Sequence, residues 1–241
     1  YVGDSAGLLH ESSPHLADRK DLFNILYGTT PLFWLNGTGY QFPQDMHRML
    51  RSFHDTCHWH EVVAFERLVD HEFVTTDRAV QRTRFANGAM AVVNFSNEAR
   101  VYEDGDTTVT LAPRGYLARG PGIEQSRLWV GECPQTVIKR PEHLTVEADG
   151  ENFVGGVKCS GRVTAFKVLD DEWLLFVHPH GVCEIDVTKI TGWPSGNNVA
   201  VYRVNDIGDV RDKICVVNPD AIARFRSTEQ SWRFALLRGS T

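Results

Sequence analysis

The sequence predicts a mixed α/β opening followed by all-β modules. Its architecture reads as the last two βα units of a (β/α)8 barrel, then two antiparallel β-sandwich-like domains. Three observations carry this expectation. First, Pro31 to Phe65 runs from a short apolar stretch, Pro31-Leu32-Phe33-Trp34-Leu35, through the turn signal Asn36-Gly37-Thr38-Gly39 into a helical pattern. Second, the same strand, loop and helix order precedes it, starting at Tyr1-Val2. Third, beyond about Asp70 the chain carries only short β-rich runs with turns every 8–12 residues, the rhythm of a sandwich. The implied domains are a barrel segment at 1–69, a first sandwich at 70–120 and a second β module at 121–241.

Each element has a local reason. Tyr1-Val2 ends a strand, and Gly3-Asp4-Ser5-Ala6-Gly7 opens a loop that continues to Pro14. Asp18 to Tyr27 reads as a helix with an acidic first turn, which suits the helix dipole, and Gly28 stops it. In the next helix Met46, Met49, Leu50 and Phe53 fall at i, i+3, i+4 and i+7, with Pro43 near the first turn. Further on, Arg78 to Phe85 alternates, Asn87-Gly88 is a hairpin turn and Ala89 to Phe95 is the return strand. Asp104-Gly105 marks another turn, before strands at Val109 to Ala112 and Arg114 to Ala118. Gly120-Pro121-Gly122 reads as a boundary. Later strands are expected at 128–130, 144–146, 163–168, 173–178, 182–187, 199–204, 214–217, 223–225 and 234–237.

Composition excludes several functions. Hydrophobic residues make up 42% of the 241, enough for a sizeable core. The net charge of −6 argues against nucleic acid as the main partner. No apolar run approaches the roughly 20 residues of a membrane helix. Cys57, Cys133, Cys159, Cys183 and Cys215 are widely spread without a CxxC, so they read as free core thiols. P-loop, GxGxxG, GxSxG and SxxK motifs are absent, and no cofactor is expected.

Candidate site residues cluster on the expected strand-to-helix loops, where barrel sites lie. Asp4, His10 and Glu11 follow the first strand; either carboxylate can accept from sugar hydroxyls or move a proton, while Asp4 can equally cap a turn. Trp34, Asn36 and Tyr40 sit on the second loop, where an aromatic face suits the C–H side of a pyranose and Asn can donate and accept. Trp34 as core and Asn36 as turn former is the competing reading. Asn36-Gly37-Thr38 and Asn94-Phe95-Ser96 match the N-glycosylation pattern. His54 and His58, four apart, share a helix face, with Cys57 and His60 as further donors. With HExxH absent and no second ligand cluster, these read as a helix end, and no metal is assigned. His178-Pro179-His180-Gly181 reads as a turn.

YVGDSAG, DLFNILYGTTPLFWLN, QFPQDMHRMLRSFHDTCHWHE and RTRFANGAMAVVNFS together resemble the C-terminal part of bacterial glycoside hydrolases related to the endo-α-N-acetylgalactosaminidases. The resemblance spans roughly residues 1 to 120. It implies hydrolysis of O-glycosidic bonds in a glycan substrate by two carboxylates on middle barrel strands, about 5–5.5 Å apart in a retaining enzyme. Those carboxylates then lie upstream of this chain. Asp4, His10, Glu11, Trp34 and Asn36 become substrate contacts, and the chain by itself is inactive. Two other readings compete: a non-catalytic carbohydrate-binding module, and a β scaffold that braces an enzyme. Coplanar exposed rings on one sheet face favour binding, with Trp129, Trp173, Trp193 and Trp232 as candidates, for each of which a core position is the favoured reading.

Overall fold

A computed structural model describes residues 17–33, 44–105, 107–178, 181–194, 198–204, 210–218, 222–228 and 232–239. Of these residues 56% are strand and 17% helix, with no barrel-like α/β unit among them, which overturns the expected α/β opening. Pro31–Phe33 is not a strand, while Tyr1-Val2 and Trp34-Leu35 lie outside the described residues. The paired strands run antiparallel, as in a sheet built from hairpins rather than from helical crossovers. The chain divides into two compact units, Tyr1–Pro134 and Gln135–Thr241.

Among the described residues, the first unit opens with two helices. In α1 (Ala17–Tyr27), Leu22, Ile25 and Leu26 form a buried stripe. It ends at Gly28, whose φ is +68°; a Cβ there would lie 2.5 Å from Val63 Cγ2. The second helix, α2 (Met46–Val63), occupies the expected place but turns the opposite way. Met46, Leu50 and Phe53 are 40%, 51% and 52% exposed, whereas Ser52, Asp55, Thr56, Trp59 and Val63 face inward.

Both helices lie against one face of a sheet in the order β1 (Leu68–Phe73), β2 (Val80–Phe85), β3 (Met90–Asn94), β5 (Thr107–Gly120) and β6 (Ile123–Val130). Phe85, Ala91, Val93, Tyr116 and Ala118 pack there with Leu22, Ile25 and Trp59. The C-terminal carbonyls of α1, orphaned by helix geometry, are taken up by side chains. Trp59 Nε1 donates to Ile25 O at 2.7 Å and Thr83 Oγ1 to Leu26 O at 2.6 Å. His60 Nδ1 lies 2.6 Å from Gly28 O, so that nitrogen carries the proton, because a carbonyl only accepts.

The other face of this sheet holds Val80, Val92 and Leu117, packed with Tyr102 and Leu111. Tyr102 comes from β4 (Arg100–Asp104), which pairs with the first part of β5. A break in β5 makes this possible: Leu111 opposes Leu128 and Tyr116 opposes Arg127, so residues 112–115 bulge out. Gly120-Pro121-Gly122 is the turn joining β5 to β6.

The second ladder follows the order β7 (Cys133–Arg140), β8 (His143–Asp149), β9 (Val157–Leu169), β10 (Glu172–His178), β15 (Arg233–Arg238), β12 (Val199–Val204) and β13 (Val210–Val217). The start of β9 instead pairs with β11 (Val182–Asp186), which pairs with β14 (Ile222–Arg226). Since β9 runs through both groups, the strands form one continuous ladder rather than the discrete face-packed sheets expected of a sandwich. Period-2 alternation sends Val163, Ala165, Trp173, Leu175, Val177, Phe234 and Leu236 inward, against Cys183, Ile185, Ala223 and Phe225. One short helix, α3 (Val187–Thr191), interrupts the strands; Lys189 N–H donates to the Asp186 carboxylate at 3.0 Å to cap it.

Candidate functional site

Strand register in β8, β9, β10, β15 and β12 also aligns side chains that are not in the core cluster of the second unit. Register places His143, Phe166, Leu174, Ala235 and Tyr202 side by side, with Lys213 of β13 next to Tyr202. The adjacent row is Thr145, Thr164, Phe176 and Arg233. Phe166 and Phe176 are diagonal neighbours whose rings stack at 5.4 Å with planes 14° apart. The Trp232 ring adjoins Phe176 at 5.7 Å. The Arg233 guanidinium lies 4.4 Å from the Trp232 centroid and 5.7 Å from that of Phe176, within cation–π reach of both. Lys213 Nζ stands 5.6 Å over Tyr202 in the same fashion.

Polar groups flank the rings. The hydroxyls of Thr145 and Thr164 are 3.1 Å apart, and His143 Nε2 is 3.0 Å from Thr145 Oγ1. Arg162 pairs with Glu147 at 3.5 Å, both partly exposed. Phe166, Phe176, Trp232 and Tyr202 are all half-buried. The half-buried rings thus stand beside the Arg233 guanidinium, while of the residues in the two rows Thr145 and Ala235 are fully buried. Such a pairing suits an amphipathic ligand with a C–H face and a hydroxyl edge.

Asp4, His10, Glu11, Trp34 and Asn36, and Tyr40 beside them, lie outside the described residues, as do Pro179 and His180. Among the four Trp candidates, Trp173 and Trp193 are core residues, 2% and 5% exposed, and Trp193 Nε1 donates to Asp170 O at 3.0 Å. Trp129 is half-buried on β6, and Trp232 is the one that adjoins the ring cluster. Phe166, Phe176 and Arg233 were missed. Their signal was faint, because in Trp173-Leu174-Leu175-Phe176-Val177 both faces are apolar and the pattern does not say which one is open.

His54 and His58 share a face of α2 with ring centroids 6.5 Å apart, and burial pushes the Cys57 thiol up. Among the described residues no group of three or more His, Cys, Asp or Glu side chains is placed to hold a metal. Asn94 of the second glycosylation pattern is fully buried, its amide donating to Glu98 O and Ala112 O at 2.7 and 2.9 Å. A cleft of about 500 Å³ in the first unit is lined by Tyr27, Thr29, Val63, Leu68 and Phe85. Thr29 Oγ1 is already committed to Asn24, and the charged Glu66 and Arg67 also line the cleft. No helix among the described residues is long and apolar enough to cross a membrane. Comparison of the chain with family models, with curated proteins and with solved structures found no match in any of the three.

Proposed function

We propose that this chain is a non-catalytic, glycan-binding part of a carbohydrate-active glycoside hydrolase. The single observation behind the binding role is the half-buried cluster of Phe166, Phe176 and Trp232 with Arg233 across it. Half-buried rings beside hydroxyl and charged groups serve a pyranose better than a membrane or a nucleic acid, and the chain's net charge of −6 points the same way. Membership of a hydrolase rests on the sequence resemblance alone, without the barrel arc first attached to it. On this reading the carboxylates that break the O-glycosidic bond belong to a part of the enzyme outside the described residues.

The test is binding of the full chain to a panel of soluble polysaccharides and mucin-type glycans, by microarray and then calorimetry. Retention on at least one glycan is expected, with Trp232→Ala weakening it about tenfold, the equivalent of about 1.4 kcal/mol. The chain alone should leave aryl glycosides intact. Lack of retention on any glycan, or full affinity in the Trp232 variant, would assign the face to bracing a neighbouring module instead.

A further inference from the structure

A second feature, independent of the glycan face, lies inside the second unit. Cys159 of β9 and Cys183 of β11 are direct partners across the antiparallel ladder. Both side chains point into the core, 3% and 0% exposed. Asp186 N–H donates to Gly156 O at 2.8 Å, which makes that pair a hydrogen-bonded one. Bonded and non-bonded pairs alternate along the ladder, so Cys159 and Cys183, three positions on, form a non-bonded pair. Such partners have Cα atoms about 4.5 Å apart, within the span a disulfide bridges. Both are free thiols in this structure, with Cys159 Sγ lying 3.7 Å from Ser160 O.

We propose that Cys159 and Cys183 are a disulfide-forming pair, closed by a small-molecule disulfide oxidant as the chain folds. One thiol loses its proton, and its thiolate attacks the oxidant, forming a mixed disulfide and releasing one thiol. The second cysteine, likewise deprotonated, displaces the remaining half as a second thiol. The protein loses two protons and two electrons, and the oxidant's disulfide becomes two thiols. With both sulfurs shut in the core, the reaction belongs to folding rather than to the folded state. Once formed, the bond is shielded from reductants. It ties β9 to β11 at the place where β9 leaves that partner for β10.

The experiment refolds the reduced full chain in a mixture of oxidised and reduced glutathione, blocks free thiols with an alkylating agent, denatures and digests with trypsin. Cleavage after Lys158, Arg162, Lys167 and Lys189 puts Cys159 in the peptide 159–162 and Cys183 in 168–189. The expected product is these two peptides joined, two hydrogen atoms lighter than their sum, with Cys57, Cys133 and Cys215 alkylated. Alkylated Cys159 and Cys183, or either one joined to another cysteine, would overturn the proposal. In a second measurement, thermal unfolding with and without reductant should show the oxidised form melting several degrees higher. Equal midpoints in samples shown to be oxidised and reduced would overturn the clamp across β9 and β11.

Discussion

Asn94 shows how one side chain can organise a loop that a sequence pattern marks for another purpose. Its amide nitrogen donates to Glu98 O and Ala112 O, and its oxygen accepts from Ser96 N–H at 3.0 Å and Ser96 Oγ at 2.7 Å. Asn94→Ala strands buried carbonyls, so denaturant titration should find a loss of about 2–3 kcal/mol. Asp77 has a comparable role on the surface. The Thr75 hydroxyl, the Ala79 N–H and the Arg100 guanidinium all hold its carboxyl below the usual carboxylate range. A depressed pKa contributes stability above the unfolded value, which is lost as pH falls through the folded one. Between about pH 4 and 2 the wild type should therefore lose more stability than Asp77→Asn, read from melting midpoints across that window. Each role is local in part, through Thr75 and Ala79 or Ser96 and Glu98, and is completed by a distant group, Arg100 or Ala112, that the sequence does not place.

Among the elements, the bulge in β5 is the most demanding. Arg114 takes φ +55°, held by its N–H to Ser96 O and its Nε to Asn97 Oδ1, both at 3.1 Å. A Cβ on Gly115 would lie 2.5 Å from Ala112 N and collide with Arg127 O, both backbone atoms with no room to yield. Gly115→Ala should cost about 3 kcal/mol and release the β4 hairpin from the sheet, seen as faster amide exchange at Tyr102 and Leu111. Asn87-Gly88 and Gly28 were legible because turn chemistry is local. Helix α2 was legible as a helix but not in its orientation. Met46, Leu50 and Phe53 are spaced as a core stripe, yet the packed face begins with Ser52 and Thr56 and is anchored by Trp59. Thr56 fits there because its hydroxyl donates back to Ser52 O at 2.7 Å.

At the scale of the whole molecule, most strand positions could be read while their neighbours could not. Phe234 to Leu237 is a continuous apolar run, and nothing local says that this strand enters between β10 and β12. The same blindness produced the barrel reading. Strand, loop and helix in sequence describe a parallel crossover, and equally helices laid on an antiparallel sheet. Only the partners of β2 and β3 decide, and these are other hairpin strands. Phe166, Phe176 and Trp232, far apart in sequence, become one surface for the same reason. The cores are separate: one set of clusters spans Leu22 to Leu128, while another is built from residues between Val137 and Leu236. Scanning calorimetry should therefore give a calorimetric enthalpy larger than the van't Hoff value, and a single two-state transition would contradict this division.

The late entry of β15 has a consequence for biogenesis. Until Arg233 to Arg238 leaves the ribosome, β10 and β12 each present a bare row of amide and carbonyl groups to the cytoplasm or translocon, an invitation to foreign strands. Trp232 and Arg233 arrive with that closing strand, so the recognition surface is completed only when the vulnerable edges disappear. A ribosome that stalls before Arg233 is made would release an adhesive product rather than a weak binder.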